Sequence, residues 1–299
     1  MTAQATATGA EEISWDLTDL FGGVGDPKLK DEIERTVASA GKFREKYHGK
    51  VGKLSAKELH EAVAELEELE SALYRAFAYA RLEFSVDTGD PARGALLQML
   101  QEKATTLETE LLFFQLEWVE LEDEQANKLL EDPVLAVYRH YLEAARRYRP
   151  YVLSEPEEKI LSEKRVSGVS AWGRLFTELV SSLKVELDGV EISLEEALSK
   201  LQQPNRELRR KAAEATTKTL RAGLRTHTFI FNTVLLDKAT DDRLRGYSHW
   251  LASRNLSNEI SDESVQALID ACIDRYDIPQ RYYALKAKLL HLDKIADYD

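Results

Sequence analysis

The sequence predicts a mostly α-helical fold, a multi-helix bundle of long antiparallel helices with one small β-hairpin. Glycine and proline occur only 14 and 7 times in 299 residues, so residues that form turns are scarce. Apolar residues recur at intervals of three and four over two long stretches, which is typical of amphipathic helices. Alternation with a period of two is convincing only over residues 183–193. With 43% hydrophobic and 31% charged residues, the composition indicates a folded globular chain.

The first long helix is predicted over residues 55–86, where apolar residues fall on one helix face. That face comprises Leu59, Val63, Leu66, Leu73, Phe77, Ala80 and Phe84. Ser55 and Glu58 have the spacing of a capping box at its start. Residues 89–91 (Gly-Asp-Pro) then predict the end of this helix and the start of a second, which runs to about Glu122. The short connection between them predicts an antiparallel pair.

The remaining elements follow from the same two periodicities. Further helices are predicted at residues 29–47, 124–146, 155–182, 193–202, 205–237, 262–275 and 277–291. The segment LKVELDGVEIS alternates apolar and polar residues around Asp188-Gly189, a residue pair common in two-residue hairpin turns. It predicts the one β-hairpin, near residues 183–193.

The charge and the cysteine content restrict the partners and the compartment. The formal net charge is −13, which argues against general binding to nucleic acid or to an anionic membrane. No apolar run is long enough to cross a bilayer, and residues 1–12 lack the features of a secretory signal, so a disordered tail is predicted there. The single cysteine, Cys272, excludes an internal disulfide and fits a cytoplasmic protein; we expect its thiol to be a small buried apolar group.

No complete catalytic motif is present among the residues of this chain. The segment His60-Glu61-Ala62-Val63-Ala64 begins like HExxH but ends in alanine, which cannot bind zinc, so His60 is predicted to be a surface histidine. There is no phosphate-binding glycine loop and no G-x-S-x-G elbow. A basic stretch over residues 206–225 could bind anions, but the acidic composition favours a helix face paired with neighbouring carboxylates.

Five segments carry a resemblance to a known family. They are SWDLTDLF (residues 14–21), YVLSEPEEKILSEKRVSGVSAWGRLFTEL (151–179), LDGVEISLEEALSKLQQPNRELRRKA (187–212), LLDKATDDRLRGYSHWLASRNLSNEIS (235–261) and YYALKAKLLHLDKIADYD (282–299). Their order and spacing resemble those of oligoendopeptidase F-type peptidases, zinc metallopeptidases of family M3 related to thimet oligopeptidase. The resemblance runs from about Ile13 to Asp299.

The resemblance implies a mostly helical enzyme with a deep channel that cleaves short peptides. In this family an HExxH helix and a glutamate on a following helix hold zinc, and the motif's own glutamate accepts a proton from the zinc-bound water. HExxH lies beyond the position of Tyr298-Asp299, so no catalytic or metal-binding residue can be transferred to this chain. We therefore expect zinc in the full-length enzyme, none bound by this chain, and a catalytic C-terminal half as its partner.

The resemblance also implies a division of the chain. Residues 13–122 form an N-terminal long-helix region, residues 123–203 an oligoendopeptidase F-like lobe with the hairpin, and residues 204–299 the beginning of the peptidase domain. This half would form one wall and the roof of the channel, and a surface near residues 226–236 and 268–292 would expose apolar side chains. Candidate groove residues, chosen as hydrogen-bond donors and aromatic groups, are Arg243, Arg245, Tyr247, His249, Arg254, Asn255, Tyr282 and Tyr283.

A second interpretation remains open. The chain could be a non-catalytic helical module that binds an extended peptide or a partner protein in the same groove. The discriminating observation is the coding sequence after Asp299: an HExxH motif there favours the peptidase, and a stop codon favours the binding module.

Overall fold

The structure is a computed structural model, and it describes residues 16–299. The chain forms two compact units, with the boundary between Phe114 and Gln115. The tail predicted over residues 1–12 lies outside the described residues. The division of the sequence at residues 122 and 203 stays a proposal.

Three long helices build the first unit. They are α1 (Pro27–Tyr47), α2 (Ala56–Val86) and α3 (Pro91–Glu120), of which α3 belongs to this unit as far as Phe114. A short 3-10 turn, Val51–Lys53, precedes α2. The predicted capping box is confirmed, since Ser55 N donates to Glu58 Oε2 at 2.8 Å and Glu58 N donates to Ser55 Oγ at 3.3 Å.

The contacts of α2 with α3 confirm the predicted antiparallel pair. Near the connection, Arg93 Nη1 donates to the carbonyl oxygen of Glu83 at 3.3 Å. Farther along the pair, Glu70 lies near Glu108, and burial followed by this like charge raises the pKa of Glu70. Residues that are farther from the connection on α2 thus lie near residues that are farther from it on α3, as they do in an antiparallel pair. Their apolar faces close a core with α1 that comprises Phe21, Leu29, Ile33, Ala76, Tyr79, Ala80, Phe84, Leu96, Leu97 and Leu100.

The second unit consists of shorter helices and the hairpin. Its helices are α4 (Asp123–Leu130), α5 (Arg139–Arg146), α6 (Glu155–Ser167), α7 (Val169–Ser181), α8 (Leu194–Lys200), α9 (Arg206–Ala222), α10 (Leu224–Arg245), α11 (Ala252–Ser257), α12 (Asp262–Asp274) and α13 (Asp277–Leu289). Two 3-10 turns, Pro133–Leu135 and Arg149–Tyr151, flank α5. Trp118, at the end of α3, fixes α5 here, because its Nε1 donates to the carbonyl oxygen of Leu142 at 2.9 Å.

Three helices predicted as continuous are interrupted, and the predictions over residues 124–146, 155–182 and 205–237 were wrong in this respect. Asp132 caps a 3-10 turn that begins at Pro133 and separates α4 from α5. Gly168 separates α6 from α7, and a Cβ there would lie 2.8 Å from a backbone oxygen. Gly223 separates α9 from α10, and a Cβ there would lie 3.1 Å from His227 Cε1. Helix α10 continues beyond its predicted end, and α11 was not predicted.

The hairpin is confirmed by strands β1 (Lys184–Leu187) and β2 (Val190–Ser193), which are antiparallel with Leu187 opposite Val190. Asp188 and Gly189 form the turn with φ of 51° and 80°. Positive φ at both central residues gives the turn the twist that the strands need. Val185 on β1 packs with Leu194 and Ala197 of α8 in a small core.

Candidate functional site

The predicted groove residues begin at the C-terminal end of α10, where Arg245 contacts α6 and Tyr247 packs on the 3-10 turn Arg149–Tyr151. Arg245 Nη1 and Nη2 donate to the two carboxylate oxygens of Glu158 at 2.5 and 2.8 Å. The Tyr247 ring stacks on Tyr151 with centroids 4.2 Å apart. Burial alone would raise the pKa of Glu158, but the hydrogen bonds from Arg245 and from Leu153 N outweigh it and lower that pKa. Both predicted residues thus have structural contacts within the second unit.

His249 and Asn255 meet at one carboxylate. His249 Nε2 lies 2.8 Å from Asp262 Oδ2, and Asn255 Nδ2 donates to Asp262 Oδ1 at 2.7 Å. The hydrogen bond from Asn255 and then that from His249 lower the pKa of Asp262. Asp262 was not predicted, because its meeting with His249 and Asn255 depends on how the chain folds back between α10 and α12.

These three residues line a cleft of about 450 Å³, which we name the α11–α12 cleft. Its other lining residues are Trp250, Leu251, Glu263, Val265, Gln266 and Ile269. Trp250 was missed by sequence reasoning, although an aromatic residue next to His249 was a usable signal.

The loop from α11 to α12 is also held from the side of α5. Glu259 has a left-handed backbone with φ of 54°, a conformation that costs energy for a residue with a Cβ. Its carboxylate lies 3.0 Å from His140 Nε2 and accepts a hydrogen bond of 2.8 Å from Arg147 Nη1. The hydrogen bonds from His140 and Arg147 outweigh the effect of burial, which would raise the pKa of Glu259, so this pKa is lowered. These contacts hold the loop that connects α11 to α12, and the residues that line the cleft lie before and after this loop in the sequence.

The other predicted groove residues lie on solvent-exposed surface. Arg243 on α10 and Arg254 on α11 are exposed. Tyr282 and Tyr283 on α13 are also exposed and contact each other edge to face, with centroids 5.2 Å apart. The structure thus brings His249 together with Asn255 at Asp262. It brings Arg245 to α6, Tyr247 to the 3-10 turn before α6, and the two tyrosines of α13 to each other. A single groove formed by all eight residues stays a prediction.

The part of the chain that the structure describes contains no set of side chains that could bind a metal ion. Over residues 16–299 there is no group of three or more His, Cys, Asp or Glu side chains that could hold a metal ion. His60 lies on α2, and Ala64 stands one turn later where a second imidazole would be needed. The residues present therefore do not fit zinc, and no catalytic step through a metal follows from this chain.

The basic stretch is paired over its first part, as predicted, since Arg206, Arg209, Arg210 and Lys211 contact carboxylates. Arg210 contacts Glu207 and Glu214, and Lys211 Nζ lies 2.7 Å from Asp188 Oδ1 in the hairpin turn. These carboxylates neutralise the cations of residues 206–211, so this part of the stretch is not a free anion site. The expectation that Cys272 is buried was wrong: it lies on α12 and is exposed, because neither α12 nor α13 has a buried residue.

The last two helices expose their apolar side chains. On α12 and α13 and in the turn between them, the exposed large apolar residues are Leu268, Ile269, Ile273, Tyr276, Ile278, Tyr282, Tyr283, Leu285 and Leu289. On α10, Phe229, Phe231, Leu235 and Leu236 are exposed as well, whereas Ile230 is buried. The predicted exposed apolar surface is therefore confirmed at these residues, but not at Ile230, which is buried, or at Val234, which is half-buried. No helix among the described residues is long and apolar enough to span a membrane.

Comparisons with known proteins agree with this fold. A protein-family model described as Oligopeptidase F matches residues 117–184. Oligopeptidase PepF of Bacillus subtilis (strain 168) is 29% identical over 303 residues, which cover 96% of this chain and 43% of that protein. Group B oligopeptidase PepB of Streptococcus agalactiae serotype III (strain NEM316) is 27% identical over 306 residues, which cover 97% and 49%.

Among solved structures, the oligoendopeptidase-F of Enterococcus faecium superposes with a TM-score of 0.79 at 21% identity, covering 91% of this chain and 55% of that one. At this identity the likeness shows the shared fold alone. The fold, the family model and the relatives together make the chain similar to M3 peptidases. Within that class it is similar to the oligoendopeptidase F type, and it spans about half the length of the curated relatives it matches.

Proposed function

We propose that this chain is the N-terminal part of a zinc-dependent oligoendopeptidase that hydrolyses short peptides in the cytoplasm. It forms one wall and the roof of the substrate channel and is inactive alone. Zinc, the general base and the reacting water belong to a C-terminal catalytic half, which is the partner of this chain. The channel wall holds the peptide and limits access to short, flexible substrates.

The observation that carries this proposal is the exposed apolar surface of α12 and α13. Helices in water are stabilised mainly by burying an apolar face, yet neither helix has a buried residue. Leu268 and Leu289 are 65% and 71% exposed. Apolar surface of this extent is typical of a site that packs against another polypeptide. The relatives are about twice as long as the matched region, so a catalytic half is the occupant we propose.

The test is restoration of activity by a second polypeptide. The chain is mixed with the part of Bacillus subtilis oligopeptidase PepF that it does not span, and cleavage of a quenched fluorescent short peptide is followed. We expect no cleavage and no stoichiometric zinc binding by this chain alone, and chelator-sensitive cleavage by the mixture. Zinc-dependent turnover by this chain alone would contradict the proposal.

A matched pair of variants locates the contact. Leu289→Glu places a charge on the proposed contact surface, whereas Val86→Glu places one on α2 at a similar exposure, 71% against 74%. We expect the first variant to abolish restoration and the second to leave it unchanged. Equal loss in both would contradict the proposed surface. Binding of the two polypeptides without any cleavage would favour the non-catalytic binding module.

A further inference from the structure

The walls of the α11–α12 cleft combine three kinds of group. Leu251, Val265 and Ile269 supply an apolar surface, Trp250 supplies an indole ring, and Glu263 supplies a carboxylate. A long cationic side chain has matching parts, since its methylene stem packs on apolar groups while its head needs a negative or aromatic partner. We propose that this cleft binds an arginine or lysine side chain of the peptide substrate. The proposal rests on the function proposed above.

Trp250 is available to a ligand. Its side chain is 74% exposed, which is large for an indole, a residue type that is usually well buried. The face of an indole attracts cations more strongly than other aromatic rings do. The same arrangement occurs inside the second unit, where the guanidinium of Arg146 lies 5.7 Å from the centroid of the Trp118 ring.

Among the carboxylates that line the cleft, that of Glu263 has no partner in another side chain of the described residues. Both oxygens of Asp262 are occupied by His249 and Asn255. Glu263, one residue later on α12, has no ion pair or hydrogen bond to another side chain in the described part of the chain. A negative charge near a helix N-terminus is favourable, and the carboxylate of Glu263 is open to solvent and to a ligand.

One cation of this chain that contacts the indole segment, Lys238, is already engaged. Lys238 Nζ forms an ion pair with Asp242 and donates to Ser253 Oγ at 3.0 Å and to the carbonyl oxygen of Trp250 at 3.3 Å. The lysine thus contacts the backbone of Trp250 and leaves the cleft to a cation from outside. A glutamate or aspartate of a peptide would instead be repelled by Glu263.

The experiment uses blocked peptides, so that only one side chain differs in charge. Acetyl-Ala-Arg-Ala-amide is titrated into the whole chain, and the indole N–H resonance of Trp250 is followed by NMR. The citrulline peptide has nearly the same shape without the charge, and the glutamate peptide reverses the charge. We expect saturable shifts with arginine and about ten-fold weaker binding of citrulline, the sum of a cation–π contact and an exposed ion pair. We expect no saturation with glutamate.

Two variants and a control test whether Glu263 and Trp250 cause the preference for arginine. Glu263→Gln should reduce the preference for arginine over citrulline, and Trp250→Leu, followed by the methyl resonances of Val265, should weaken arginine binding about five-fold. Asp274→Asn removes a charge at the far end of α12 and should leave both affinities unchanged. All three positions are exposed, so the variants should keep the wild-type spectrum elsewhere.

Equal affinities for arginine and citrulline, or an unchanged preference in Glu263→Gln, would overturn the proposal. So would the absence of any saturable shift in the Trp250 resonance with the arginine peptide. The result is independent of catalysis. Restored cleavage without an arginine preference refutes only the cleft, whereas arginine binding without restored cleavage refutes only the peptidase function.

Discussion

Replacing Arg245 by leucine is expected to destabilise the second unit by about 3 kcal/mol. Arg245 and Glu158 are the most deeply placed ion pair between α10 and α6, with side chains only 14% and 11% exposed. At the 2.8 Å between Nη2 and Oε2, two unit charges attract by about 6 kcal/mol at an effective dielectric constant of about 20. Desolvation of the two ions offsets much of that attraction. Removal of the arginine leaves the buried carboxylate with its desolvation cost and no partner, which is why the loss is large.

The pH dependence of the free energy of unfolding gives a second test of the Arg245–Glu158 ion pair. In the wild type the pKa of Glu158 lies below its ordinary 4.5, so this group stabilises the fold above that pH and loses the contribution as pH falls. In Arg245→Leu, burial acts without the arginine and raises the pKa of Glu158 above 4.5. The carboxylate then destabilises the fold at neutral pH, and protonation relieves it. We therefore expect the difference between variant and wild type to shrink from pH 7 towards pH 4.

The assay is urea unfolding followed by tryptophan fluorescence, in a double-mutant cycle with Glu158→Leu. The double variant should recover most of the loss, because two apolar side chains need no partner. Lys57→Ala is the control, since Lys57 and Glu61 form an exposed pair at 3.9 Å and its loss should cost under about 0.5 kcal/mol. A coupling energy between the two positions below about 0.5 kcal/mol would refute the reasoning.

Three further predictions concern other contacts. Ser55→Ala removes the N-cap of α2 and should lower the free energy of unfolding by about 1 kcal/mol in urea denaturation; no change would contradict the capping box. Trp118→Phe leaves the carbonyl oxygen of Leu142 without its indole donor and should cost about 1–3 kcal/mol, measured in the same way. The pKa of Asp299 is lowered from 3.8 to about 2, chiefly by hydrogen bonds from an α9 arginine. The ionised carboxylate of Asp299 therefore stabilises the fold above pH 3.8, and this stabilisation is lost as pH falls to about 2. In Asp299→Asn the free energy of unfolding should depend less on pH in this range, as measured by urea denaturation at each pH. An unchanged pH dependence would contradict this prediction.

Local patterns were sufficient for much of the fold. The capping box at Ser55 and the Asp188-Gly189 turn were predicted because their geometry depends on residues within a few positions of each other. The long helices α2 and α3 were predicted because their apolar stripes repeat over many turns. The same stripes hid the interruptions at Gly168 and Gly223, since one glycine changes the backbone without changing the periodicity around it.

The candidate site depended much more on distant residues. His249 and Asn255 could be chosen for their chemistry, but their common partner Asp262 follows from the path of the chain through α11. Arg245 was also chosen for its chemistry, yet its partner Glu158 lies 87 positions away and turns it into a structural contact. Sequence alone therefore determined most of the helical segments and the hairpin, because their formation is governed mainly by neighbours along the chain, but it did not determine where helices are interrupted. The tertiary structure decided which polar groups pair and which, like Glu263 and Trp250, remain open to a ligand, because pairing depends on packing between distant segments.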